Sequence, residues 1–95
     1  MIYAVLIVAM LLLCVDWSQT RWIAKNPARF HEINPLLGQH PSVAKVNSYF
    51  ALCVALTAVG AYFLPFWWAI GAGLALIALE AFVTIRNYRI GIRFA

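Results

Sequence analysis

The sequence predicts an all-α polytopic membrane protein, with three transmembrane helices and a short helical loop between the first two. Three observations carry this. Hydrophobic residues make up 65% of the 95-residue chain and charged residues 11%, too few charges for a water-soluble fold of this size to cover its apolar side chains. The apolar residues fall into three runs, each near the roughly 20 residues that a helix needs to cross the hydrocarbon core. The basic residues gather where one side of a three-span arrangement would lie.

The elements follow in order. Helix one is expected at about 2–21, where Ile2 to Val15 is continuously apolar and Asp16-Trp17-Ser18-Gln19 carries the run on to Thr20. A cleaved signal peptide is the competing reading of this run. No basic segment precedes it, no small-x-small site follows, and bulky Leu13 before Cys14 argues against lipoprotein processing. Helix two is expected at about 43–64 and helix three at about 66–88, parted by a tight Leu64-Pro65-Phe66 turn. Helices are the expected form because lipid offers the backbone no hydrogen-bond partner. The whole chain, 1–95, reads as a single three-helix transmembrane domain.

Residues 22–42 form the one substantial connection. Asn26-Pro27 and Asn34-Pro35 each resemble a helix start, with asparagine as N-cap and proline at the first helical position. Gly38 would end the second of these turns, and His40 before Pro41 would cap helix two. Asn26-Pro27-Ala28 matches the tripeptide of water channels, but those need two copies on separate half-helices, and the second Asn-Pro here lies in the same loop. Trp22, Ile23, Phe30, Ile33, Leu36 and Leu37 would point toward lipid or the helix ends, so the connection is a shaped surface loop and not a floppy linker.

Orientation follows from charge. Arg21, Lys25, Arg29 and Lys45 lie in or beside this loop, and Arg86, Arg89 and Arg93 follow helix three. The positive-inside rule makes that side cytoplasmic and places the N-terminus outside an inner (plasma) membrane. The net charge of +4 therefore points to anionic lipid headgroups as partners and not to nucleic acid. Tyr3, Tyr62, Phe63, Phe66, Trp67 and Trp68 would mark the outer interface, and Trp17, Trp22, Tyr49 and Tyr88 the inner one. Cys14 and Cys53 fall at different depths and read as packing residues, not as a disulfide.

Polar residues inside a membrane are costly, and each calls for an explanation. Asp16 and Thr20 share a face of helix one at i and i+4. Glu80, Thr84 and Asn87 share a face of helix three, and Asn47 lies about a turn into helix two. In this topology Asp16, Asn47 and Glu80 reach similar depths, where Glu32, Asn34 and His40 of the loop would meet them and Arg21, Lys45 and Arg86 would neutralise the carboxylates. Ala69 and Gly73 on the Glu80 face, and Ala51 and Ala58 on the Asn47 face, allow close helix approach and should look toward another helix. The cluster reads first as a structural network that fixes three short helices in register, and second as an ion, proton or ligand site. His31, Glu32 and His40 lack the i, i+4 spacing of a helical metal motif, so no metal and no cofactor are expected. No nucleophile elbow, phosphate loop or dinucleotide fingerprint occurs, and no enzymatic activity is expected.

Asp16-x-x-x-Thr20, Glu32-x-Asn34-Pro35 and Gly38-x-His40-Pro41-Ser42 together resemble small phage and bacterial membrane proteins of unknown function, over about residues 14–50. By architecture alone, three helices with a basic end resemble the class I phage holins. The expected role is non-enzymatic helix–helix assembly in the bilayer, as a homo-oligomer or with a membrane-protein partner. The alternatives are a holin-like lesion former and a small ion-, proton- or ligand-binding module built on the polar cluster.

Overall fold

The computed structural model describes residues 2–95. It contains three helices, α1 (Ile2–Lys25), α2 (Val43–Phe63) and α3 (Phe66–Arg89), and no strand among the described residues. Their 24, 21 and 24 residues span about 36, 32 and 36 Å at 1.5 Å per residue, enough for a hydrocarbon core of about 30 Å. All three are long and apolar enough to cross a membrane.

Burial supports the same conclusion. Ile7, Leu11, Leu52, Val59, Leu74, Phe82 and Ile85 are exposed, while Gln19, Thr20, Glu80, Thr84 and Asn87 are buried. A soluble helix bundle does the reverse. Here the apolar surface faces lipid and the polar groups find each other inside. The chain is a multi-pass membrane protein.

α1 stands in the middle. It packs against both α2 and α3, which barely meet each other. Its inward stripe of Val5, Ala9, Leu13, Asp16, Thr20 and Ile23 recurs every three or four residues, the spacing that keeps one helical face in contact. The α3 face answers with Ala69, Ile70, Glu80, Thr84 and Asn87. Gly73 belongs to it too: a Cβ there would collide with the Val5 side chain, so the two backbones approach closely only because this residue has none. α2 is held near its loop end, where Val46 and Phe50 are its buried residues. The inward role expected of Ala69 and Gly73 is met, whereas Ala51 and Ala58 are exposed, α2 being buried only near its loop end.

The helix boundaries have local causes. α1 runs one turn beyond the expected end and stops before Pro27, whose ring disfavours helical backbone at the preceding residue. Asn26 is not an N-cap: its Nδ2 donates to the Trp22 carbonyl at 2.9 Å, closing the end of α1. Asn34 does cap, accepting from Leu36 N–H at 3.0 Å, and Gly38 ends that turn at φ +82°. The connection holds two single turns rather than helices. α2 is capped by Ser42, whose Oγ accepts from Lys45 N–H at 3.1 Å. His40, expected in that role, is exposed. α3 closes with Gly91 at φ +102°. Gly91 N–H donates to the Tyr88 carbonyl at 3.2 Å and Ile92 N–H to that of Asn87 at 3.0 Å, the paired bonds of a Schellman end.

The loop is docked. Leu37 is buried in a cluster with Leu13, Val46 and Phe50, and Glu32 N–H donates to the Gln39 carbonyl at 2.8 Å, tying the loop to itself. Ile23 is buried as well, while Ile33 and Leu36 stay exposed. Two residues expected as interface anchors work internally instead. The Trp17 ring stacks on Phe50 with centroids 6.1 Å apart, and the Tyr49 hydroxyl accepts from Asn34. Tyr62, Phe63, Trp67 and Trp68 are exposed around the α2–α3 turn, as an interfacial belt requires.

Candidate binding cavity

The chain has three acidic residues, Asp16, Glu32 and Glu80, and all three line one cavity with a volume of about 320 Å³. Asp16 and Thr20 come from α1, Glu80 from α3, Tyr49 from α2, and Glu32 and Asn34 from the loop. No basic side chain lines it. The expected neutralising role of Arg21, Lys45 and Arg86 is therefore corrected: Arg21 points to Asn47 at 3.5 Å, Arg86 to Asn87 at 3.2 Å, and Lys45 is exposed at the start of α2.

The three carboxyls are supplied unequally with donors. Glu32 accepts from two backbone amides, Ile33 N–H at 2.9 Å and Asn34 N–H at 3.1 Å. Asp16 accepts from the Thr20 hydroxyl at 3.1 Å. Glu80 is 8% exposed, and its enclosed Oε2 has no hydrogen-bond partner. Asp16 and Glu32 are its carboxyl neighbours around the cavity. A buried acceptor without a donor is costly, and two facing carboxyls complete a hydrogen bond only if a proton lies between them. The site thus has room for one more positive species, a proton or a cation bearing N–H.

Asn34 shapes the cavity edge: its Nδ2 donates to the Tyr49 hydroxyl at 2.9 Å. The same loop residues, Glu32 to Pro35, also line a second cavity together with His31, Gly38 and Gln39.

The remaining expected residues lie elsewhere. Thr84 and Asn87 belong to a neighbouring α1–α3 clamp, where Gln19 Nε2 donates to the Thr84 carbonyl at 3.0 Å and Asn87 Nδ2 donates to Gln19 Oε1 at 3.2 Å. Asn47 does not line the cavity; it accepts from Trp17 Nε1 at 2.9 Å. His40 reaches none of these groups. Tyr49 and Gln19 were missed. Gln19 carried a signal, since a polar residue three positions after Asp16 in an apolar run needs a partner. Tyr49 was hidden by its second use as a headgroup anchor. Among the described residues, no three His, Cys, Asp or Glu side chains gather closely enough to hold one metal ion.

Fold and cavity define a class: a three-span membrane protein with an acidic pocket between its helices at the loop end. No protein-family model, curated protein or solved structure matches the chain.

Proposed function

We propose that this small integral membrane protein is a binding module that takes up a proton or a cationic group among Asp16, Glu80 and Glu32. The observation that carries the reading is the placement of every acidic residue around one cavity without a basic neighbour, with one buried carboxylate oxygen lacking a donor. A purely structural network would be expected to close on itself, as the Gln19–Asn87 clamp does. The loop and the segment after α3, with their arginines and lysines, are assigned to the cytoplasmic side by the positive-inside rule. Glu32 then faces the compartment from which the proton or cation comes.

Infrared difference spectroscopy of the protein in lipid tests this. A pH step should change the carboxyl bands. Glu80→Gln should remove the largest change, and Asp16→Asn should shift what remains, since Asp16, Glu32, Tyr49 and Cys53 are the titratable groups facing or neighbouring Glu80. A difference spectrum unaltered by Glu80→Gln refutes the reading.

A second reading, association through α2, is favoured by Ala51, Ala55 and Ala58. They are exposed and share a stripe at i, i+4 and i+7, where a neighbouring helix could approach closely. Efficient disulfide capture between two copies of an Ala55→Cys variant with Cys14 and Cys53 replaced by serine supports it. Its absence at high protein-to-lipid ratio argues for a monomer.

A further inference from the structure

The acidic cavity is one end of a longer groove. α2 and α3 stand apart on either side of α1, and three cavities run between them in series. The outermost and middle ones share Leu56, Thr57 and Leu76. The middle one and the acidic one share Tyr49, Phe50, Leu79 and Glu80. Glu80 is thus the junction where an apolar channel meets the carboxyls. From Glu80 back to Ala69 at the outer end, the groove follows α3 for about 16 Å, at 1.5 Å per residue.

We propose, resting on the binding-module reading above, that the occupant is a single-tailed amphiphilic amine with its ammonium among the carboxyls and its alkyl chain in the groove. Charge and shape select it together. The inner end holds carboxylates and no basic side chain, so it fits a cation. The walls beyond Glu80 are almost wholly apolar, Thr57 spending its hydroxyl on the Cys53 carbonyl of its own helix at 2.7 Å, so they fit a hydrocarbon. The oxygen without a donor on Glu80 wants an N–H, which a primary ammonium has and a quaternary one lacks. An aminophospholipid also carries a primary ammonium. Its phosphate, however, would lie between ammonium and tail, at the level of Phe50, Cys53 and Leu76, where no basic side chain lines the groove and the donors within reach are the weak Cys53 thiol and the Tyr49 hydroxyl. The groove therefore disfavours it.

The test is photolabelling in phosphatidylcholine vesicles with dodecylamine carrying a diazirine in its tail, mapped by mass spectrometry. Label should fall on groove walls such as Leu56, Thr57 and Leu76. Unlabelled dodecylamine should displace it and dodecyltrimethylammonium should not. Glu80→Gln should weaken labelling roughly tenfold, the scale of one hydrogen bond to a charged group. Thr57→Trp, which fills the groove and leaves the carboxyls in place, should abolish it. Circular dichroism checks that both variants keep their helices. Equal labelling of wild type and Glu80→Gln overturns the proposal, as does equal displacement by the quaternary amine. Displacement by added phosphatidylethanolamine overturns it in favour of a lipid occupant. If labelling fails while the carboxyl bands still respond to pH, the groove proposal falls and the binding-module reading stands. If Glu80→Gln leaves those bands unaltered, the reading itself falls.

Discussion

Tyr49→Phe should open the loop without disturbing the bundle. The substitution removes one hydroxyl and keeps the ring, so the edge contact with Phe50, at 5.1 Å and 88°, is preserved. What is lost is the acceptor for Asn34 Nδ2 at 2.9 Å, the one side-chain hydrogen bond from this turn to a helix. A hydrogen bond of this kind contributes about 0.5–1.5 kcal/mol net, so the open population should rise about two- to tenfold. Two restraints keep the change local: Leu37 remains buried among Leu13, Val46 and Phe50, and Asn34 still accepts from Leu36 N–H. Amide hydrogen exchange in lipid nanodiscs reads the effect directly. The reporters are the Glu32 amide, bonded to the Gln39 carbonyl, and those of Leu37 and Gly38, bonded to the Asn34 carbonyl. They should exchange two to ten times faster, while amides around Leu13 in α1 stay unchanged. Unaltered exchange at Glu32 would mean that Tyr49 does not hold the loop. Uniform acceleration through α1 would mean that the loop is not a separate opening unit.

Two further predictions concern the α1–α3 contact. Gln19→Leu and Asn87→Leu should each destabilise the protein, and a double-mutant cycle by unfolding in micelles should give a coupling of about 0.6 kcal/mol, at most about 1.7; strict additivity would show that the clamp is not a bridge. Gly73→Ala should cost about 1–3 kcal/mol by overpacking, because Val5 is stiff at its first side-chain torsion in a helix and cannot swing away from the new methyl. Adding Val5→Ala should recover part of that loss, and a Gly73→Ala variant as stable as wild type would refute the close approach.

The fold was legible because lipid leaves so little choice: three long apolar runs can only be helices, and each boundary moved by a few residues at most. The site was legible in depth but not in direction. Counting residues along a helix gives height along its axis, and that count groups Asp16, Glu80, Glu32 and Asn34, which line one cavity. It does not give rotation about the axis. Asn47 and Tyr49 are two positions apart, hence about 200° apart around α2, and at nearly the same height. Only the packing of Val46 and Phe50 against α1 decides that Tyr49 faces the carboxyls and Asn47 faces Trp17. α2 is apolar nearly all round, and the small-residue stripe its sequence does carry, Ala51 and Ala58 below Asn47, is exposed and so gave no guide to that rotation. The loop posed the opposite problem. Asn-Pro has one local meaning at residue 34 and another at residue 26, where the end of α1 claims the side chain first.

Chain order and spatial order differ in this bundle, since α1, made before α2 and α3, stands between them. A ribosome feeding the membrane from the N-terminus sets down the central post before either flank exists. Each later span then meets a finished docking face on arrival, and none has to thread between two others already in place. The burden of Glu80 is eased by the same sequence of events. By the time the last span brings its carboxyl into the bilayer, Asp16, Gln19 and Thr20 are already waiting at the matching height.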